Sequence, residues 1–175
     1  MTINTEQPQV FPPISYTRTR KTSISPKLMQ ERRLIMGLRN DPHTDVFRQL
    51  RTNVLRQLRE KEWTSIAVVA PTAACGKTFV TANLAIAIAM EVNQTVLVVD
   101  ADLRNPRVGW QFGMEVEKGL LDYLHSDVPI EDLLVNPGFD RLVVLPGRHT
   151  SESSSELLSL PKMSSLVQEL KSRYQ

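Results

Sequence analysis

Apolar and polar positions along the 175-residue chain fall into runs of different period. Residues 65–70, Ser-Ile-Ala-Val-Val-Ala, are short, apolar and partly β-branched, the pattern of a parallel strand buried on both faces. Residues 79–90 are helix-forming and apolar on nearly every side, through Val80, Ala82, Leu84, Ala85, Ile86, Ala87, Ile88 and Ala89. A helix of that kind belongs inside a fold. A second buried-strand run at 95–99 ends in Asp100-Ala101-Asp102-Leu103-Arg104, and a third at 142–145 is stopped by Pro146-Gly147. Phe47, Leu50, Val54 and Leu58 recur at helical spacing, which predicts an amphipathic helix over 45–59 with Thr44 as N-cap and Asp45 in its first turn.

Shorter helices are predicted over 28–38, at Trp110-Gln111-Phe112-Gly113, and over 119–124 and 130–134, with a turn at Asn136-Pro137-Gly138. A polar loop over 148–155 leads to a short helix at Glu156-Leu157-Leu158. Met163, Leu166, Val167 and Leu170 mark a closing amphipathic helix. Residues 1–28 have no apolar period and are broken at Gln7-Pro8, Pro12-Pro13 and Ser25-Pro26, so they read as a disordered tail. Arg18, Arg20, Lys21 and Lys27 make it basic, either a solvated arm or a tether to acidic lipid or a partner. The expected organisation is α/β: a tail over 1–28, a helical segment over 29–62, and a parallel sheet flanked by helices over 63–175.

Composition narrows this picture without redirecting it. An apolar fraction of 41% and a charged fraction of 23% are those of a soluble globular protein. A net charge of +2 gives no case for nucleic-acid binding. Cys75 is the single cysteine, which excludes an internal disulfide and suits a reducing compartment. His43, His125 and His149 have no metal-ligand spacing. The first 13 residues lack the apolar core of a signal peptide, and no run approaches the ~20 residues of a membrane span. A cytoplasmic protein is expected, with any membrane role exerted through a partner.

The candidate chemistry sits between the first strand-like run and the apolar helix, in Ala70-Pro71-Thr72-Ala73-Ala74-Cys75-Gly76-Lys77-Thr78. Strand, loop, Gly-Lys-Thr and helix form the context of a phosphate-binding loop, whose backbone N–H groups converge on nucleotide phosphates. Lys77 would reach the β- and γ-phosphates and the Thr78 hydroxyl would ligate Mg²⁺. Pro71 stands where the usual pattern begins with glycine, and Ala73 and Ala74 stand where glycines are common. Asp100 and Asp102 lie at the carboxyl end of a predicted strand, where open α/β sheets put their sites. They could hold hydrated Mg²⁺ or position an attacking hydroxyl; equally, they could cap a helix and pair with Arg104. Asp45, Arg48 and Arg51, spaced three apart, share nearly one helix face, as ordinary charged surface or as a symmetric subunit contact. Cys75, at a helix N-terminus, is either a small loop residue or a thiol of lowered pKa open to oxidation.

Together these segments resemble the bacterial tyrosine kinases of capsule and exopolysaccharide synthesis, which share the P-loop plan of the cell-division and plasmid-partition (MinD/ParA) ATPases. Asp45-x-x-Arg48-x-x-Arg51 is similar to the family's Glu-x-x-Arg-x-x-Arg oligomerisation motif. Gly76-Lys77-Thr78 with Ala82-Asn83-Leu84-Ala85 resembles its Walker A and following helix, and residues 96–104 resemble its second acidic motif. Gly119-Leu120-x-Asp122-Tyr123-Leu124 and Ser155-Glu156-Leu157-Leu158 also resemble stretches in relatives. The resemblance implies a P-loop NTPase-like fold and an ATP-dependent protein-tyrosine autokinase. Ala74, Cys75, Gly76, Lys77, Thr78 and Phe79 would contact ATP, Thr78 and Asp100 would serve Mg²⁺, and Lys77, Asp100 and Asp102 would be catalytic, with Asp102 facing the acceptor tyrosine. It also implies self-association and a separate membrane-spanning chain-length regulator as partner, holding the protein at the inner membrane.

Three departures accompany it. The chain has only Tyr16, Tyr123 and Tyr174 in place of a C-terminal tyrosine cluster. Thr72 occupies the position of the extra lysine of the partition ATPases. The family's third motif, a strand ending in Asp (Walker B), would follow the closing helix, where the sequence reads Arg173-Tyr174-Gln175. The expectation is an incomplete sheet and weak or no activity from these residues alone. The alternatives are a partition-type ATPase switch and a shortened, non-catalytic adaptor.

Overall fold

The computed structural model describes residues 19–38, 41–148 and 150–174. In chain order the elements are β1 (Arg20–Lys21), α1 (Pro26–Glu31), a 3₁₀ turn (Ile35–Gly37), α2 (Thr44–Lys61), α3 (Lys77–Ala89), β2 (Val96–Val99) and α4 (Val108–Gln111). They continue with α5 (Leu120–His125), a second 3₁₀ turn (Ile130–Asp132), β3 (Val135–Asn136), β4 (Leu142–Leu145), α6 (Ser154–Leu158) and α7 (Pro161–Arg173). The strands form one sheet in the order β1-β3-β4-β2.

Helix α3 is the centre of one layer. Residues from Ala82 to Ala89 are all buried, because an all-round apolar helix has no face to give to water. Its inner side meets Val98, Leu142 and Val144 of the sheet together with Leu34, Met36 and Phe47, and Leu84 and Ile88 pack on Leu55 of α2. The alternate strand positions Val143 and Leu145 point the other way, onto Leu120 and Leu124 of α5 and Leu166 and Leu170 of α7. A sheet covered on both faces explains why β2 and β4 are apolar without alternation.

Several expectations are corrected. The sheet is mixed: β1 with β3 and β2 with β4 are parallel, but β3 and β4 are antiparallel. Residues 65–70 form no strand and are largely exposed, with Val69 82% and Ile66 48% accessible. A strand exists only through a partner's ladder, and no described residue supplies one beside this segment. The tail expected over 1–28 lies outside the described residues up to residue 18. From there on it is ordered, since Arg20 and Lys21 pair with Val135 and Asn136 and the Ser25 side chain caps α1 ahead of Pro26. Ser25-Pro26 is thus a helix start and not a break. The helix expected over 28–38 is interrupted at Arg33, whose φ is 53°. Thr44 is the first residue of α2, with His43 as cap and the Thr44 hydroxyl donating to the Asp41 carbonyl at 2.9 Å.

The N-terminal segment is held to α3 by one polar side chain. Asn83, fully buried, accepts from the Met36 N–H at 3.1 Å and donates to the carbonyls of Arg33 and Phe79 at 2.9 and 3.0 Å. The left-handed Arg33 brings its carbonyl to this amide. The Arg32 guanidinium lies 3.3 Å over the Trp110 ring, a second tie to α4. Replacing Asn83 with Ala would leave the Met36 N–H and Arg33 carbonyl buried and unpaired. Asn83→Ala is expected to destabilise the protein by about 1–3 kcal/mol in urea unfolding; a change indistinguishable from zero would contradict the staple.

Candidate active site

The loop before α3 turns through left-handed residues at Ala74 (φ 60°) and Gly76 (φ 87°). Left-handed residues in a loop turn successive N–H groups toward one point, an anion-binding concavity. Only glycine takes such a φ without strain, and no atom lies within 4 Å of where a Cβ on Gly76 would stand. The space in front of Gly76 is therefore open, as a phosphate requires. Lys77 opens α3 directly after it, adding its charge to the positive end of a 13-residue helix.

Opposite this loop, β2 delivers the two carboxylates. Asp100 is 4% exposed and is used by its own loop: it accepts from the Val108 N–H at 2.9 Å and from the Asp102 N–H at 3.3 Å. Burial pushes its carboxyl above the ordinary value, opposed by these backbone donors. Asp102 is the accessible member of the pair. One oxygen accepts from the Asn105 N–H at 3.1 Å, and the other lies 3.6 Å from Lys77 Nζ. Lys77, Thr78, Asp100 and Asp102 line one cavity of about 940 Å³. The residue set suits a magnesium nucleoside phosphate: a left-handed glycine turn at a helix N-terminus, with Lys77 and the Thr78 hydroxyl just after it and two carboxylates across the cavity.

The structure separates other predicted residues from this centre. Phe79 turns its ring into the core, edge-on to Phe47 at 5.7 Å, so its side chain is remote from the concavity. Cys75 is exposed and its thiol donates to the Thr72 carbonyl. The Thr72 hydroxyl at 3.4 Å is the largest influence holding the thiol below its ordinary pKa, with Lys77 adding to it. Arg104 bonds to Ser154 at 3.1 Å, with no bond to either aspartate. Asp45 and Arg48 pair at 2.8 Å on the surface, whereas Arg51, 19% exposed, reaches inward to Glu91 at 2.9 Å and to the Ala87 carbonyl at 3.3 Å. The three residues do not form one outward row.

Sequence reading missed two supports of the site. Gly147 lies against the acidic loop: a Cβ there would stand 2.5 Å from Pro106 Cβ and 3.4 Å from Asp100 Cγ. The Ser151 N–H donates to the Leu103 carbonyl at 2.7 Å, so the loop after β4 holds the loop after β2. The Pro146-Gly147 pair signalled a strand end, but its closeness to Asp100 is a tertiary fact. Arg51 and Arg141 also meet the last carbonyls of α3, at Ala87 (3.3 Å) and Ala89 (3.1 Å), where positive charge is favoured.

No family model matches the chain. Over 138 residues it is 35% identical to a protein of Ralstonia nicotianae named as a tyrosine-protein kinase, EpsB; the match covers 77% of this chain and 18% of that protein. The chain thus spans less than a fifth of that relative's length. The kinase domain of Escherichia coli tyrosine kinase ETK is similar in structure, with a TM-score of 0.74 and 27% identity, covering 93% of this chain and 63% of that one. The septum site-determining protein MinD of Pyrococcus horikoshii, solved with Mg-ADP, has a TM-score of 0.51 and 31% identity over 61% of this chain and 43% of that one.

Two outcomes follow from these contacts. Thr72→Val removes the hydroxyl that favours the thiolate, so the pH midpoint of Cys75 alkylation by iodoacetamide should rise; an unmoved midpoint would refute the attribution. Arg51→Ala leaves Glu91 and the end of α3 unpaired and should cost about 1–3 kcal/mol of unfolding free energy. Arg48→Ala, breaking an exposed pair, should change it by less than about 1 kcal/mol. Equal effects would contradict the different roles given to the two arginines.

Proposed function

We propose that this chain, a member of the bacterial tyrosine-protein kinase group in sequence and fold, is an ATP-binding segment of a protein-tyrosine kinase serving capsule or exopolysaccharide synthesis. The single observation that carries the reading is Lys77 at the open Gly76 turn, facing Asp102 across 3.6 Å. A lysine and a carboxylate at that distance are poised to exchange partners. With phosphate in the concavity, the Lys77 ammonium would have more highly charged oxygens to bind. Asp102 is then released to accept the proton of a tyrosine hydroxyl, while the loop N–H groups and Lys77 offset charge on the transferring phosphoryl group. Thr78 would ligate Mg²⁺, which would supply neutralisation of phosphate charge. Asp100, whose oxygens hold the loop over 101–108, positions Asp102 and is available to Mg²⁺ only through remaining lone pairs.

Self-association and a membrane-spanning chain-length regulator as partner belong to the same proposal. Among the described residues no helix is long and apolar enough to cross a membrane, so membrane attachment would come through such a partner. Asp45 and Arg48 are the exposed members of the oligomerisation trio. A second reading is a nucleotide switch that dimerises without phosphorylating protein; the likeness to MinD, solved with Mg-ADP, supports its nucleotide binding alone.

Incubation with Mg²⁺ and γ-³²P-labelled ATP separates these readings. The kinase reading expects label on tyrosine, weak from these residues alone, lost in Lys77→Met and reduced about 100-fold or more in Asp102→Asn. ATP hydrolysis with dimerisation and no phosphotyrosine would favour the switch. Neither transfer nor hydrolysis would leave the chain as a non-catalytic adaptor.

A further inference from the structure

Beyond the acidic loop, α4 presents an aromatic ring at the surface. The Trp110 side chain belongs to a residue 49% exposed, and two guanidinium groups attend it. The Arg32 Cζ lies 3.3 Å from the ring centroid and the Arg107 Cζ 6.0 Å. Among the described residues, neither arginine forms an ion pair with a carboxylate. Both are nevertheless held in place. Arg32 caps the end of α1, the Gln111 side-chain amide donates to its carbonyl, and its guanidinium stacks on the indole. Stacking uses the face of a guanidinium and leaves the N–H donors in its plane directed at its rim. Arg107 is exposed and its Nε donates to Asn105 Oδ1 at 3.0 Å, which orients the group and leaves both terminal nitrogens to a ligand.

The stack of Arg32 on Trp110 ties the end of α1 to α4. That tie accounts neither for Arg107, braced at the surface by Asn105, nor for the exposed part of the indole. Two oriented forks beside an open aromatic ring match paired carboxylates, which guanidinium groups bind bidentately. Arginine and tryptophan are also the residues that dominate protein–protein contacts. The position of the patch is set by Asp100. One oxygen of that carboxylate accepts from the Asp102 N–H at 3.3 Å and the other from the Val108 N–H at 2.9 Å. Residues 102 and 108 therefore leave from opposite sides of a single carboxylate, and Arg107 stands close to the acidic site. An extended peptide advances about 3.3 Å per residue. Residues two to four positions from a side chain at Asp102 thus come within reach of Arg107.

We propose that Arg107, Arg32 and Trp110 form a docking surface for an acidic polypeptide segment, whose carboxylates bind the two guanidinium groups beside the indole. The segment's tyrosine then lies at Asp102, so acids two to four residues from the acceptor determine which tyrosines are used. The placement of the tyrosine rests on the kinase reading; the docking of acidic chain does not.

The test is fluorescence anisotropy of two labelled peptides with the full chain, without nucleotide. One peptide is Glu-Glu-Glu-Tyr-Glu-Glu-Glu between Gly-Ser ends, and the other has glutamine at every glutamate. The acidic peptide should bind at least about tenfold more tightly, and Arg107→Gln should remove most of that difference. Arg32→Gln should act in the same direction, but it also breaks the stack on Trp110; Arg107→Gln, whose side chain bonds only to Asn105, is the decisive variant. Arg56→Gln, on the exposed surface of α2, removes the same charge and should leave the difference intact. Equal binding of the two peptides would overturn the proposal, as would equal effects of Arg107→Gln and Arg56→Gln. In the labelling assay, acidic flanks should lower KM with little change in kcat, and Arg107→Gln should erase the preference. Acidic-peptide binding through Arg107 without phosphotyrosine would uphold the surface and contradict the kinase reading. Phosphotyrosine formed with no preference for acidic flanks would uphold the kinase reading and overturn this proposal.

Discussion

The burial of α3 is the constraint on which the rest of the structure depends. A helix apolar on every side must be enclosed, and four bodies enclose it: the sheet, α2, α4 and the segment over 33–37. Three polar side chains meet the obligations this leaves. Asn83 bonds the segment over 33–37, and Arg51 and Arg141 meet the carbonyls at the helix end. With its sides and C-terminus fixed, the helix has one open end, and that end carries Gly76 and Lys77. The site is where the buried helix reaches water.

The acidic wall is organised by a second, smaller constraint. Asp100 is buried to hold a loop, and burial of a carboxyl is costly unless its oxygens are hydrogen-bonded. Val108 and Asp102 supply those bonds, which fixes the backbone so that Asp102 faces Lys77. One aspartate thus orders the loop and its neighbour does the facing. The loop after β4 supports the same geometry through the Ser151 bond to Leu103 and the absence of a side chain at Gly147.

Legibility in the sequence followed how local each cause was. Residues 142–145 are a strand as expected and α3 is a helix within two residues of its expected start, because their apolar runs coincide with complete burial. The loop, Lys77 and the two aspartates were also legible, since Gly-Lys-Thr and Asp-x-Asp are contiguous. Residues 65–70 carry an equally clear strand pattern and are not a strand, because the pattern reports suitability while hydrogen-bonding needs a neighbour. β3 was hidden by Asn136-Pro137-Gly138, whose turn signal is real but begins inside a two-residue strand. Arg51 was misplaced for the same reason: spacing puts it near Asp45 and Arg48, but only packing shows that Glu91 and the end of α3 draw it inward.

The central claim is that the Gly76 turn is a phosphate cradle whose backbone shape, and not charge alone, binds nucleotide. Calorimetric titration of Mg·ATP into the chain and into Gly76→Ala tests it most directly, because the substitution alters no charge and would meet no neighbouring atom within 4 Å. The account predicts one nucleotide per chain and at least a tenfold loss of affinity in the variant, through strain at φ 87°. Equal affinities, or no binding by the unmodified chain, would contradict it.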